Sequence, residues 1–286
     1  MGNGYGFWPE AGDDIDIDYS GIPYNTHPGS YLLELLSEFS ISNPENTRVS
    51  IPTLTKSKPS RYVIPLGLLY KFLETVRDHY EVMPLSSELV TLNSMVYYDV
   101  PGYRLFRDHM NGKAGRCQVK LKTSPEFQAP VLEVKFRSNK GVSGKHLVPF
   151  QEDLFHFLPD EVKDKFSLIT GMSVSDLRPV VGSSSGKFVL LGRMHHERIE
   201  VDAEIRFSLP GIGEKELILP LAVVRISGNQ GQDTLATRFF GDLRIRPFSF
   251  SRYLLGGSML LTDQKTNRYK NKILQLQKMM QHEPSY

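Results

Sequence analysis

The chain has a single cysteine, Cys117, so it forms no intramolecular disulfide and builds no cysteine-ligated zinc site. That lone thiol reads as a small buried side chain. The chain also has little net charge: 34 Lys and Arg stand against 32 Asp and Glu, a formal +2. No whole-molecule field draws in a nucleic acid, and no nucleic-acid partner is expected. A site for any polyanion has to come from local arrangement of cations. No run of about 18 apolar residues is there to cross a bilayer. The opening "MGNGYGFWPEAGDD" lacks the basic and apolar regions of a signal peptide. The expectation is a soluble, cytoplasmic protein with no membrane span of its own; nothing encodes a membrane partner. Internal repeats, coiled-coil heptads and low-complexity tracts are missing too.

What is present is ordinary globular composition, 40% hydrophobic and 23% charged over 286 residues. That length suits one large domain with an appendage. Residues 1–28 are rich in Gly, Asp and Tyr and carry the acidic run "DDIDIDY", which reads as a tail or edge segment. "SYLLELLSEF" (30–39) has apolar residues at helical spacing. The turn-rich stretch 40–60 is the best linker. This predicts an N-terminal extension with a short helix over 1–50 and a main domain over 51–286.

In the main domain, "RYVI", "TLNSMVYYDV", "RCQVKLKTS", "PVLEVKFRS" and "HLVPF" read as strands, with "NGKAG" and "SNKGVSG" as turns. "SGKFVLLGRMHHERIEVDAEIRFSL" reads as two strands around a turn, and "LILPLAVVRIS" as another. "PLGLLYKFLETVRDHY", "PDEVKDKFSLITGM", "SFSRYLLGGSMLL" and "NRYKNKILQLQKMMQ" read as helices. The class is α+β with a many-stranded antiparallel sheet.

Side chains alternate along a strand, so Arg116, Gln118, Lys120 and Lys122 share a face, as do Glu133, Lys135 and Arg137. Arg198, Glu200, Asp202, Glu204 and Arg206 are expected on one face, and Arg225 with Ser227 on another strand. A one-sided sheet with its charged face in water would account for each strand separately. Against that stand the consecutive cationic strands, because like charges opposite one another destabilise a sheet unless an anion lies among them. A sheet curled into a barrel would instead make a polar tunnel that concentrates positive potential on a chain of phosphates.

The segment "MVYYDVPGYRLFRDHMNGKAGRCQVKLK", then "LEVKFRSNKGVSGKH", "IRPFSFSRYLLGGSMLL" and "NRYKNKI", resembles the catalytic domain of the vacuolar transporter chaperone (VTC) family. These are polyphosphate polymerases of the triphosphate tunnel metalloenzyme, or CYTH-like, superfamily. The resemblance runs from about Arg61 to the C-terminal helix. It implies an antiparallel eight-stranded β-barrel tunnel flanked by helices, with ATP, triphosphate or polyphosphate as partner and Mg²⁺ or Mn²⁺ as cofactor. It implies transfer of a nucleotide γ-phosphate to a growing chain; family members elsewhere work beside membrane-embedded subunits.

Carried over position by position, the resemblance makes Arg61, Arg116, Lys120, Lys122, Lys135, Lys145, Lys187, Arg198 and Arg252 phosphate ligands. It gives Glu133 and Lys135 catalytic roles, Glu133 helping with metal or orienting a lysine. Ser185 and Lys187 fall on an aromatic and basic pair of the family, so only the charge is kept.

The departures are as informative. Where the family's late strand carries a metal-ligating Glu and then a Lys, this chain has Arg225 and Ser227, and an early acidic position falls at Pro59. An arginine repels a cation, and without a carboxylate the metal's stabilisation of transferring phosphate is lost. Three readings follow: Glu133, Glu200, Asp202 or Glu204 holds the metal; the protein binds polyphosphate without making it; or the strand aligns otherwise. A non-catalytic polyanion binder and a metal-dependent triphosphate hydrolase are the rival functions.

Two other motifs fall away. "GSSSGK" (182–187) is one residue short of a phosphate-binding P-loop and has Phe188 where the magnesium-holding hydroxyl belongs, so a hairpin or flexible turn is expected. "HHE" (195–197) reads as a surface turn rather than a metal cluster.

Overall fold

The structure is a computed structural model. It describes residues 28–42, 59–85, 87–124, 127, 129–149, 158–194, 197–210, 216–228, 233–261 and 264–281. The predicted acidic tail, most of the linker and His195 and His196 lie outside these residues.

Nine strands build one antiparallel sheet: β1 (Ser60–Pro65), β2 (Tyr80–Met83), β3 (Thr91–Asp99), β4 (Arg116–Thr123), β5 (Val131–Arg137), β6 (Ser143–Pro149), β7 (Arg178–Gly192), β8 (Arg198–Ser208) and β9 (Glu216–Ser227). Their order is β1-β9-β8-β7-β3-β4-β5-β6, with β2 paired to β7 off this path. The path therefore holds the expected eight strands and β2 is a ninth. Among the described residues β1 and β6 are not hydrogen-bonded to each other, so the expected barrel is not closed by a backbone ladder.

Seven helices flank the sheet among the described residues: α1 (Pro28–Leu36), α2 (Leu66–Val76), α3 (Arg104–Met110), α4 (Asp160–Thr170), α5 (Leu235–Asp242), α6 (Arg252–Leu260) and α7 (Asn267–Gln281). The helices read from periodicity are present. α3 and α5 were not expected, because seven or eight residues carry barely two turns of periodicity. β2, four residues long, was not expected either: the sequence reading extends the preceding helix to Tyr80, whereas that helix stops at Val76.

One face of the sheet is apolar and covered. Tyr62, Ile64, Phe188, Leu190, Ile199, Val201, Ala222 and Val224 pack against Leu32 and Leu36 of α1, Leu69 and Phe72 of α2, and Phe240 of α5. Farther along, Cys117, Val119, Leu132, Val134 and Phe136 pack against Val162 and Phe166 of α4. The alternation of β4 and β5 is therefore resolved as expected, with Cys117 wholly buried in this layer.

The opposite face divides. At one end it is apolar, where Val63, Val181, Ile205, Phe207, Leu221 and Val223 meet Phe106 of α3, Tyr253 and Leu255 of α6, and Tyr269 and Leu276 of α7. At the other end it is charged. The hand-over on β8 occurs at a bulge between Ala203 and Ile205, where Glu204 takes a positive φ of 52°. The extra residue shifts the period, so Ile205 and Phe207 continue the face of Asp202 while Arg206 turns to the other side. The expectation that Glu204 and Arg206 share a face with Arg198, Glu200 and Asp202 is thus corrected. Alternation read from a sequence is blind to an inserted residue.

"GSSSGK" is neither a hairpin nor a flexible turn; it lies inside β7. Its alternate serines, Ser183 and Ser185, occupy the face that is polar at this point.

Candidate polyanion site

The register of the sheet lays the cations side by side. Arg61 of β1 lies opposite Arg225 of β9, and Arg225 opposite Glu200 of β8. Asp202 lies opposite Lys187 of β7, which lies opposite Thr91 of β3. Met95 and Tyr97 of β3 lie opposite Lys122 and Lys120 of β4. Lys120 in turn lies opposite Glu133 of β5, and Lys135 opposite Lys145 of β6. Residues opposite one another across a ladder share a face. Arg61, Lys120, Lys122, Lys135, Lys145, Lys187, Arg198 and Arg225 are therefore on one continuous face with Glu133, Glu200 and Asp202. Arg116 belongs to it as well, opposite Arg137 at the far end of β4.

Arg252 reaches this face from a helix. Ser251 caps α6, its hydroxyl accepting the Leu254 N–H, and Arg252 follows as the first helical residue. α6 can lie this close because Gly256 and Gly257 present no Cβ where Phe207, Val181 and Phe106 pack. The Arg252 side chain is 8% exposed; its Nη2 lies 3.0 Å from Asp202 Oδ1 and 2.8 Å from Ser185 Oγ, and Nη1 lies 3.3 Å from Ser183 Oγ. Asp202 also accepts the Ser185 hydroxyl at 3.2 Å and the Asn93 amide at 3.4 Å. Ser183, Ser185 and Asn93 as props of Arg252 and Asp202 were not foreseen. The odd-numbered spacing of the two serines on β7 was the available signal, hidden by the glycine-serine composition.

Two subsites follow. In the first, Lys120 Nζ is 3.0 Å from Glu133 Oε1 and Lys122 Nζ is 2.9 Å from Oε2. Burial would raise the Glu133 carboxyl, but the two ammonium groups hold it down at about 2. Burial lowers the Lys120 ammonium, partly offset by Glu133. In the second, Glu200 bridges Arg198 at 3.1 Å and Arg225 at 3.4 Å. The half-buried Arg61 guanidinium is lowered by burial first, and then by Arg225 and Arg252, with Asp202 and Glu200 opposing. Its Nη1 donates to the Phe250 carbonyl at 2.8 Å. Tyr97 sits between the subsites: burial first, and then Glu133 and Asp202, push its hydroxyl up to about 12 against the pull of Arg252.

Lys135 and Lys145, directly opposite each other, are exposed and have no ion-pair partner among the described residues. Glu204 stands apart, its carboxylate 3.6 Å from Arg206 Nη2. Glu197 of "HHE" is buried, not on a surface turn, where it accepts hydrogen bonds from Tyr80 and from Thr234 at 3.0 Å.

A divalent cation needs several free oxygen donors around one point. Among the described residues no group of three or more His, Cys, Asp or Glu is placed to hold one. Each carboxylate on the charged face is already held by one or two cationic side chains. The residues present do not fit a carboxylate-held Mg²⁺ or Mn²⁺, and no chemistry is derived through one.

An antiparallel sheet with one charged, largely cationic face, completed by an arginine at a helix start and flanked by helices, defines the class of an α+β domain. The chain belongs to the VTC domain family, whose model matches residues 56–256. No curated protein sequence matches it at a significant level. Among solved structures it is similar to a candidate adenylyl cyclase from Hippeastrum whose dominant activity is that of a triphosphatase (11% identity, TM-score 0.44, 70% of this chain and 95% of that one). It is also similar to a candidate adenylate cyclase from Bacillus halodurans (13%, 0.40, 68% and 94%). A third similar structure is the PH1819 protein from Pyrococcus horikoshii (14%, 0.36, 72% and 99%). At these scores the family assignment rests on the VTC match. No helix among the described residues is long and apolar enough to cross a membrane.

Proposed function

We infer that this chain binds condensed phosphate, as polyphosphate, inorganic triphosphate or the triphosphate of ATP, along the charged face. One observation carries the reading: Arg61, Lys120, Lys122, Lys135, Lys145, Lys187, Arg198, Arg225 and Arg252 share a face on which far fewer carboxylates answer them. Neighbouring cations spaced by strand separation match a ligand that repeats its negative charge along a chain, and charge-assisted bonds to phosphate oxygens are the strong kind. Lys120 and Lys122 would clamp phosphate at one subsite, with Glu133 holding both ammonium groups in place. Arg61, Arg225 and Arg252 would clamp it at the other, and Lys135, Lys145 and Arg116 would guide the chain at the exposed end.

Membership of the VTC family supports transfer of the ATP γ-phosphate to polyphosphate as the reaction of this face. The test is to incubate the purified chain with ATP and Mn²⁺ and to stain the products for polyphosphate on a gel, while inorganic tripolyphosphate is titrated calorimetrically. Stained polymer establishes the polymerase. Phosphate released from tripolyphosphate without polymer makes it a hydrolase, and binding with neither makes it a polyanion receptor. Absence of tripolyphosphate binding overturns the reading.

A further inference from the structure

Resting on that reading, we propose that the site takes its condensed phosphate without a divalent cation, Arg225 and its neighbouring guanidinium groups supplying the positive charge that a metal would bring. The argument starts from Arg225 itself. It lies directly opposite Arg61 in the β1–β9 ladder, an arrangement that is unfavourable unless something negative lies between the two. Its Nη1 reaches Glu200 only at 3.4 Å, and its buried Nε has no hydrogen-bond partner. A buried donor left without an acceptor is costly, and a phosphate oxygen is an acceptor of the right charge. Arg252 contributes a third guanidinium whose charge, like that of Arg225, depresses Arg61.

A metal has no foothold in the same place. To coordinate a cation, Glu200 would have to leave Arg198 and Arg225, and Asp202 would have to leave Arg252. Each departure would strand a partly buried arginine beside an incoming cation of the same sign. Glu133 is in the same position between Lys120 and Lys122. A polyanion entering with its own metal brings the arginines less negative charge than a bare one, which therefore relieves more of their mutual repulsion.

The experiment titrates inorganic tripolyphosphate into the purified full chain by calorimetry, in EDTA and again in excess Mg²⁺. The expected result is an affinity in EDTA equal to or tighter than that in Mg²⁺. Binding that weakens tenfold or more in EDTA overturns the inference and leaves the phosphate reading standing; no binding in either buffer overturns both. Mn²⁺ alone, mixed with the protein and followed by electron paramagnetic resonance, should keep the spectrum of the free hydrated ion, and a bound-ion spectrum overturns the inference. Arg225→Gln, at a part-exposed side chain, should lower tripolyphosphate affinity in EDTA by tenfold or more, and an unchanged affinity overturns the role given to Arg225.

Discussion

Lys120 and Glu133 face each other directly across the β4–β5 ladder, Nζ 3.0 Å from Oε1, and Lys122 closes on the other carboxylate oxygen at 2.9 Å. Among the described residues Glu133 is thus the carboxylate that offsets the repulsion between these two largely buried ammonium groups. Glu133→Gln should destabilise the fold by roughly 2–4 kcal/mol, somewhat below the cost of breaking a fully buried pair because both lysines keep some exposure to water. It should also enlarge the rise in Tm on adding tripolyphosphate, because the ligand then replaces a missing charge. Urea unfolding and thermal melts measure the two effects. A variant as stable as wild type with an unchanged melting shift would show that the pair holds nothing.

Glu204 predicts a second outcome through its backbone. At φ 52° a side chain is unfavourable and glycine is not. Glu204→Gly should leave stability unchanged or raise it by up to about 1 kcal/mol, despite the lost contact with Arg206. Glu204→Val, β-branched at a positive φ, should cost about 2 kcal/mol. Equal stability of both variants in denaturant titrations would remove the bulge as the device that switches the face of β8.

Much of the fold was legible because the strands alternate cleanly. Cys117, Val119 and Leu121 against Gln118, Lys120 and Lys122 fix which face of β4 is buried, and β5 repeats the pattern. The family was legible from ordered segments between "MVYYDV" and "SRYLLG", which the VTC match over residues 56–256 covers, whereas the resemblance read into "NRYKNKI" lies beyond that match. What escaped has physical reasons. The bulge at Glu204 adds a residue without changing composition, so Arg206 was placed on the wrong face. The serines of β7 looked like a turn, since glycine and serine are turn residues until a neighbouring arginine gives them a strand's work. The props of Arg252 are separated from it by 67 and 69 residues, and no local pattern joins them.

A pH effect follows from His109. Its Nε2 lies 3.1 Å from the Cys117 carbonyl, and burial first, then the charge of Arg116, lowers its pKa to about 4; Asp108 opposes and Lys135 adds to the lowering. The unfolded chain takes up this proton below about 6.5, the folded protein only near 4. The unfolded state therefore binds more protons in that window, so the contribution is complete above pH 6.5 and is lost as pH falls toward 4. Its size is at most about 3 kcal/mol. Glu133 acts lower, its contribution present above about 4.5 and lost as pH falls through about 2. His109→Gln, whose amide can still donate to Cys117, should flatten the dependence between pH 6.5 and 4 in urea titrations. A slope identical to wild type would assign the proton elsewhere.

The last prediction joins packing to the site. A Cβ on Gly256 would stand 2.6 Å from Phe207 Cδ1 and 2.9 Å from Val181 Cγ1, closer than carbon atoms approach, and both rings and branches are held in a packed core. Gly256→Ala must therefore push α6 off the sheet. Overpacking of this kind costs about 1–3 kcal/mol. Because Arg252 opens the same helix and meets Asp202, Ser183 and Ser185 at hydrogen-bond distance, the shift should also loosen that guanidinium. Tripolyphosphate affinity should fall severalfold in Gly256→Ala at a temperature where the variant is still folded. Gly241→Ala, on α5, where an added Cβ meets nothing within 4 Å, serves as the control and should leave both stability and affinity near wild type. Destabilisation of Gly256→Ala with unchanged affinity would separate the packing of α6 from the binding of phosphate and take Arg252 out of the site.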